Sequence, residues 1–445
     1  MLDIKFIREN KEKIEEAAKN KHIKIDIDAL LEVDDEKRKL QQNIDNLNTE
    51  RNKLAGGAKK GKPSKEQIEA GRKLKEEVSK NEIGLKEIEK KFMELMVKIP
   101  TIPSKDTPLG KDDSENIEVY RWGDELKFSA QGGSAGGGDF EPKSYLELAS
   151  QLDLLDLERG AKVAGYRGYY VKNDAVLLQM GMMMYALTKL IEKGFTPMIP
   201  PTLIKEFALF GSGYFGGREY NPEHDEIYKI ANDEKLADGS IKKENKFLVG
   251  TAEPSLLAYY ANEILDEKDL PIKICGFSQC YRSEIGSYGK DTKGIYRVHE
   301  FMKVEQVCIC KADIKESDRL QEEMIEISKD LHKDLGLPFR QLQICTGDMS
   351  AGKYRQYDLE AWMPSRNSYG ETGSCSSFLD WQSRRLNVKY KDKDGKKKYV
   401  YMLNNTALPS VRPMIAILEN NQQKDGAIIV PEVLRKWVGK DVIKK

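Results

Sequence analysis

From Leu30 onward the apolar positions step alternately by three and four: Leu30, Val33, Lys37, Leu40, Ile44, Leu47, Arg51, Leu54. Such spacing puts them on one seam of a long helix. The pattern breaks at "AGGAKKGKPSKEQ" and resumes with Leu74, Val78, Asn81, Leu85, Ile88, Phe92 and Leu95. Two helices of about 30 residues joined by a polar tip form an antiparallel hairpin, on the order of 45 Å long at the helical rise per residue. The hairpin is expected over about 27–99, inside an N-terminal domain of 1–105 that ends in the proline-bearing "IPTIPSKDTP". With Lys37, Arg51 and Asn81 in the seam, no second apolar face is left to dock on a core, so the hairpin is expected to project into solvent. A dimerisation coil and an arm for a large partner fit this pattern equally. Lys59, Lys60, Lys62 and Lys65 near the tip are the residues that could grip phosphates.

The segment 106–143, with "SAQGGSAGGGDFEPK" near its end, reads as a linker, and 144–445 as one domain. Helical stretches are predicted at 144–160, 175–194, 254–266 and 315–335. Strand-like runs lie between them: "GYYVK", "KFLVG", "IKICGFSQCYR", "YRVHEFMKVEQVCIC", "RQLQIC", "YDLEAWM" and "LNVKYKDKDGKKKYVYMLNN". Asp394-Gly395 in the last run is a strong hairpin signal. Strand follows strand without an obligatory helix, which gives an α+β class: a mostly antiparallel sheet flanked by helices, plus the helical hairpin. No GxGxxG or GxxxxGK[ST] occurs where a strand would feed a helix, so neither a Rossmann nor a P-loop nucleotide site is supported.

Composition narrows this little. Lysine plus arginine balance aspartate plus glutamate, 73 against 73, so any basic surface is local and nothing points to DNA. The most apolar stretch, "LLQMGMMMYALTKLI", is too short to span a membrane and reads as a buried helix. Six cysteines without a CxxC pair read as buried, reduced thiols of a cytoplasmic protein.

The chemistry-bearing residues cluster. In "YRSEIGSYGKDTKGIYRVHEF" a long loop separates two strand-like runs, with Arg282 and Glu284 at one end and Arg297 and Phe301 at the other. Two arginines so placed could clamp a polyphosphate or carboxylate, and Phe301 could offer a ring face; an exposed arginine–glutamate ladder is the alternative. Glu305 follows, eight residues past Arg297 and expected on the same strand face. "VGTAEPSLLAYY" supplies Thr251 and Glu253 between strand and helix. "SYGETGSCSS" supplies Glu371 and Ser374 between strand-like runs, and "LNNTALPSVRPMIAILENNQ" supplies Asn404, Thr406 and Arg412.

In this order the motifs resemble those of class II aminoacyl-tRNA synthetases. "GFTPMIPP" is similar to motif 1, "YRSE…RVHEF" to motif 2 and "NNTALPSVRPMIAILENNQ" to motif 3. With "MLDIKFIREN", the hairpin, "TAE" and "ETGSCSSFLDWQSRR", the whole chain resembles the bacterial-type seryl-tRNA synthetases. The resemblance implies ATP-dependent ligation of L-serine to tRNA(Ser), and to tRNA(Sec) where present, through seryl-adenylate. Arg282 would bridge the serine carboxylate and the α-phosphate of ATP. Glu284 would read the adenine amino group and Phe301 would stack on the base, with Arg412 opposite, near the γ-phosphate. Ser283, Val298, His299, Glu300, Thr372 and Gly373 would complete the ATP site, and Glu371 and Ser374 would hold Mg²⁺. Thr251, Ala252, Glu253 and Asn404 would line the serine pocket, while Glu305 and Thr406 would bond its hydroxyl. A site built around a hydroxyl discriminates against alanine by up to about 10⁴–10⁵. The hairpin would lean on the long variable arm of the tRNA, and motif 1 would form a homodimer interface.

The sequence departs from the family pattern at Thr372 and Gly373, where E-V-S-S-C is usual, at Glu300, where glutamine is common, and by insertions around 211–245 and 131–138. A synthetase-like amino acid:carrier-protein ligase is the alternative enzyme, disfavoured by the intact arm. An inactive coiled-coil interaction protein is disfavoured by the presence of Arg282 and Arg412.

Overall fold

The computed structural model describes residues 1–57, 64–125, 140–215, 217, 220–285 and 293–445. Three of the tip lysines, Lys59, Lys60 and Lys62, and the 131–138 insertion lie outside the described residues. The chain divides into two compact units, Met1–Pro100 and Thr101–Lys445.

The N-terminal unit contains α1 (Ile27–Gly57) and α2 (Lys65–Met96), paired along their length. Every seam position read from the three-and-four spacing, on both helices, is buried or half-buried. Lys37 is accommodated there because its stem lies in the seam while its ammonium stands 4.6 Å over the Phe92 ring and 4.0 Å from Glu89 Oε1. Ser64 starts α2 with a capping box: its Oγ accepts from Gln67 N, and Gln67 Oε1 accepts from Ser64 N. Lys65 is exposed on the first turn.

The second unit is built on eight strands: β1 (Ile117–Trp122), β2 (Thr196–Met198), β3 (Ile272–Tyr281), β4 (Glu300–Cys310), β5 (Phe339–Gln343), β6 (Arg355–Met363), β7 (Ser368–Leu379) and β8 (Tyr401–Pro409). Their order across the sheet is β1-β5-β6-β7-β8-β4-β3-β2. All pairs are antiparallel except β3 with β2. Three helices, α3 (Asp174–Glu192), α5 (Ile314–Asp334) and α7 (Val411–Asn420), cover one face. The core lies between, with Leu178, Met182, Met324, Leu331, Leu359, Leu403 and Ile415 fully buried. Each such leucine contributes about 1.5–3 kcal/mol by leaving water. On the opposite face sit two short helices, α4 (Glu253–Ala258) and α6 (Trp381–Leu386). All six cysteines are buried and free.

Four expectations need correction. Part of the expected linker 106–143 is the edge strand β1, whose exposed, charged alternation hides it from a reading based on burial. The helix expected at 144–160 is two, Tyr145–Gln151 and Leu157–Ala164, separated by Asp153 at φ 55° and by a two-residue strand. Of the helix expected at 254–266 only the part up to Ala258 is helical, within Glu253–Ala258, and Ile264–Asp266 is a strand. The glycine- and serine-rich segment around Glu371, expected between strands, is itself the 12-residue β7. Helix α3 is also longer than the apolar stretch suggested. At 19 residues it is long and apolar enough to cross a membrane, yet one face is buried on the sheet while Val176, Leu177, Met180, Met184 and Ile191 are exposed.

Phe339 ties the edge to the core. Its fully buried ring lies 5.9 Å from Tyr120, 6.0 Å from Trp122 and 5.4 Å from His332. Phe339→Ala should cost about 3–5 kcal/mol, read as a lower denaturant midpoint at unchanged slope.

Candidate active site

The face of the sheet away from α3, α5 and α7 is polar along β6, β7, β8 and β4, and two bulges make it so. Glu360 pairs with Glu371, but Leu359 pairs with Gly373, leaving Thr372 as an extra residue in β7. Asp358 then pairs with Ser374. Directly paired residues share a face, so Glu371 and Ser374, three apart in sequence, come out on the same side. In β8, Ala407 is the extra residue: Val304 pairs with Leu408 and Glu305 with Thr406. This aligns Thr406 and Asn404 with Glu305 and Lys303.

At the floor, Lys303 Nζ stands 2.6 Å from Glu305 Oε2, with both side chains almost fully buried. The Thr251 hydroxyl donates to the same Oε2 at 3.1 Å, Thr406 Oγ1 lies 3.4 Å from it, and Lys303 Nζ donates to Thr406 at 3.1 Å. The group is a compact well of hydroxyls around a buried ion pair, and removing either ion alone would leave an uncompensated charge. Beside it, Glu253 opens α4, and its Oε1 accepts from Gln382 at 2.6 Å and Asn404 at 2.8 Å. Burial, and then the Glu305 charge, push the Glu253 carboxyl up to about 7. Ala252 is fully buried under α4 and contributes packing.

Above the well is an open cleft. Its walls are Arg282, Glu284, Tyr296, Arg297, Val298, Phe301, Lys303, Glu371, Thr372, Gly373, Thr406, Pro409, Val411 and Arg412. Arg282 follows β3, donates from Nε to Gly250 O at 3.3 Å and lies over Phe301 at 5.5 Å. Among the described residues its guanidinium makes no ion pair, so a cation is presented to the cleft. Arg412, on the first turn of α7, donates to Glu371 O at 2.9 Å and to its carboxylate at 3.2 Å, and lies 4.6 Å over Tyr296. Desolvation would raise the Glu371 carboxyl, but Arg412 and Arg282 overcome it and hold the group below the usual range. Gly373 leaves room for the strand to approach Thr406 O, which a Cβ there would meet at 3.2 Å.

Other candidates are placed differently from expectation. Arg297 precedes β4 instead of lying on it, so it does not share a strand face with Glu305. It donates to Glu284 at 2.7 Å, with Arg167 at 3.7 Å from the same carboxylate oxygen. Glu284 itself has φ 55°, uncommon for a non-glycine residue. Ser283, His299, Glu300 and Ser374 lie outside the cleft lining. Ser283 N donates to Glu226 O at 3.4 Å, His299 Nδ1 lies 2.8 Å from Arg282 O, and Glu300 accepts from Gln279 at 3.1 Å. Ser374 accepts from Gln356 at 3.1 Å, on a stretch of sheet shared with Asp358, whose carboxyl burial and the Glu371 charge push up to about 7. The Thr372 side chain points the other way, to His332 at 2.7 Å, so only its backbone faces the cleft. Lys303, Gln382, Tyr296 and Asp358 were not foreseen. The alternation K-V-E would have placed Lys303 beside Glu305; the others needed the fold.

The sheet, the helices behind it and the charged cleft match a described class. The family "tRNA synthetase class II core domain (G, H, P, S and T)" matches residues 235–421, and "Seryl-tRNA synthetase N-terminal domain" matches 1–103. The serine–tRNA ligase of Treponema denticola is 42% identical over 450 residues, covering 100% of both chains. Among solved structures, seryl-tRNA synthetase of Pyrococcus horikoshii complexed with ATP superimposes with a TM-score of 0.85 at 36% identity, covering 100% of this chain and 99% of that one. The cytoplasmic serine–tRNA ligase of Naegleria fowleri in complex with AMP gives 0.82 at 28% identity, again over 100% and 99%. This chain belongs to the seryl-tRNA synthetase family.

The raised Glu253 sets a pH signature. Because its folded pKa lies above the unfolded value, the folded state binds more protons between about 4.3 and 7. Its contribution therefore falls as pH rises through that window. Glu253→Gln should flatten the pH dependence of the melting temperature there, measured by thermal scans from pH 4.5 to 7.5.

Proposed function

We propose that the cleft activates L-serine with ATP and that the enzyme then passes the seryl group to tRNA(Ser). The observation that carries this is the polar well of Thr251, Lys303, Glu305 and Thr406, which shares Lys303 and Thr406 with the cleft lined by Arg282 and Arg412.

Serine sits with its hydroxyl between Glu305 and Thr406, and Glu253 with Asn404 faces its ammonium side. Arg282 holds the carboxylate against the α-phosphate. A planar, permanently charged fork suits both oxygen sets and lowers the cost of bringing two anions together. Phe301 stacks on adenine, and Arg412 takes the other side, near the γ-phosphate. Glu284 reads the base from a carboxylate oriented by Arg297 and Arg167. Attack of the serine carboxylate on the α-phosphorus expels pyrophosphate and needs positioning and charge neutralisation more than covalent help.

Glu371 and Ser374 fit a Mg²⁺ ion, being hard oxygen donors on one sheet face. In such sites Mg²⁺ is bound through one or two protein oxygens, with phosphates and water supplying the rest of its shell. When bound, the ion would neutralise phosphate charge.

The hairpin reads tRNA shape and backbone, with Lys65 at the described edge of its tip. The exposed apolar side of α3, next to the motif 1 segment, is the surface offered for a homodimer. The reaction belongs to the cytoplasm, where charged tRNA is consumed.

In pyrophosphate exchange across an amino-acid panel, serine should be the amino acid that supports turnover; exchange with glycine or alanine instead would favour the carrier-protein ligase. Arg282→Ala should lower exchange by about 10²–10³-fold, and full activity would refute the role given to it. Deleting residues 37–92 should spare exchange while abolishing aminoacylation, measured with the same enzyme preparation.

A further inference from the structure

Beneath the site, on the helix-covered face, α5 reaches both bulged strands through one edge. Ser328 and His332, one turn apart, line that edge. The Ser328 hydroxyl donates to Thr406 O at 3.4 Å, beside the Ala407 bulge, and accepts from Asn405 Nδ2 at 2.8 Å. The His332 ring is fully buried. Its Nδ1 lies 2.8 Å from Ser328 O and its Nε2 lies 2.7 Å from Thr372 Oγ1. A carbonyl only accepts, so Nδ1 carries the proton in the neutral ring and Nε2 is the acceptor. The Thr372 proton therefore points to His332. Its other acceptor, Leu359 O, is farther at 3.3 Å.

Thr372 is the extra residue of the β7 bulge. A bulge can relax or slip by one residue, and a one-residue slip would turn Glu371 to the helix-covered face. The hydrogen bond from Thr372 to His332 ties the extra residue of the bulge to α5. Burial keeps the His332 imidazole neutral, its pKa pushed down to about 4, so the pairing persists over the working pH range.

We infer that His332 and Thr372 are a positioning pair whose hydrogen bond fixes the β7 bulge and thereby the aim of Glu371 into the nucleotide cleft. The inference rests on the reading of Glu371 as part of the ATP and Mg²⁺ face of that cleft.

Thr372→Val keeps the shape and removes the hydroxyl. It should raise the KM for ATP and the Mg²⁺ concentration needed for half-maximal exchange about tenfold, with the KM for serine unchanged. Calorimetric binding of ATP at varied Mg²⁺, without turnover, should weaken in parallel. The double variant Thr372→Val/His332→Leu, which lacks the same hydrogen bond, should bind ATP no more than about twofold more weakly than Thr372→Val alone, as a coupled pair requires, and fully additive losses would overturn the pairing. A merely structural role would lower the melting temperature and the active fraction and leave the KM for ATP unmoved; that result overturns the inference. Glu371→Gln serves as the control. Unaltered Mg²⁺-dependent ATP binding in that variant would remove the site reading itself, and with it the role of the pair. Weakened binding in Glu371→Gln with native behaviour in Thr372→Val would overturn the pair alone.

Discussion

An antiparallel sheet sends alternate side chains to opposite faces, and in this chain that alternation separates a helix-covered apolar core from a charged floor. Asp358, Glu371, Ser374, Asn404, Thr406, Lys303 and Glu305 lie on one side. Leu359, Cys375, Leu403 and Val304 lie on the other, packed beneath helices. Strict alternation could not deliver both Glu371 and Ser374, or Glu305 opposite Thr406 within a run that also pairs Val304 with Leu408. The bulges at Thr372 and Ala407 solve this by shifting register locally, one residue in each strand.

The floor then sets the electrostatics. Lys303 pairs with Glu305 at 2.6 Å, and the same carboxylate oxygen accepts from the Thr251 hydroxyl. Among the described residues Glu253 has no such cation at hydrogen-bond distance and accepts instead from two neutral amides, and burial raises it to about 7. Two carboxylates a short way apart thus have partners of different charge. Above them, Arg282 and Arg412 bring positive charge to the cleft, and Glu371 is kept ionised between them.

Much of the site was legible in the chain because its residues sit in compact motifs. Arg282, Phe301 and Arg412 line one cleft as the motifs suggested. Arg297, ambiguous as phosphate contact or brace, is seen to orient Glu284, an assignment that depends on the left-handed turn at Glu284 and on Arg167, more than a hundred residues earlier. Ser283, His299 and Glu300, grouped with the nucleotide site by proximity in sequence, engage neighbouring backbone or Gln279 instead.

The sequence by itself determined what repeats locally. A three-and-four seam broken by a polar tip reads as a helical hairpin, and the apolar helix at 175–194 and the amphipathic one at 315–335 declare themselves by their own periodicity. Only the tertiary structure decided what depends on neighbours. Strand β7 is rich in glycine and serine and has little strand propensity, yet it lies at the centre of the sheet because β6 and β8 supply its hydrogen bonds on both sides. The exposed strand β1 exists because β5 is there to pair with it. The bulges cannot be counted from one strand, since an extra residue is defined only against its partner; for that reason the shared face of Glu371 and Ser374 became visible only once the sheet was assembled.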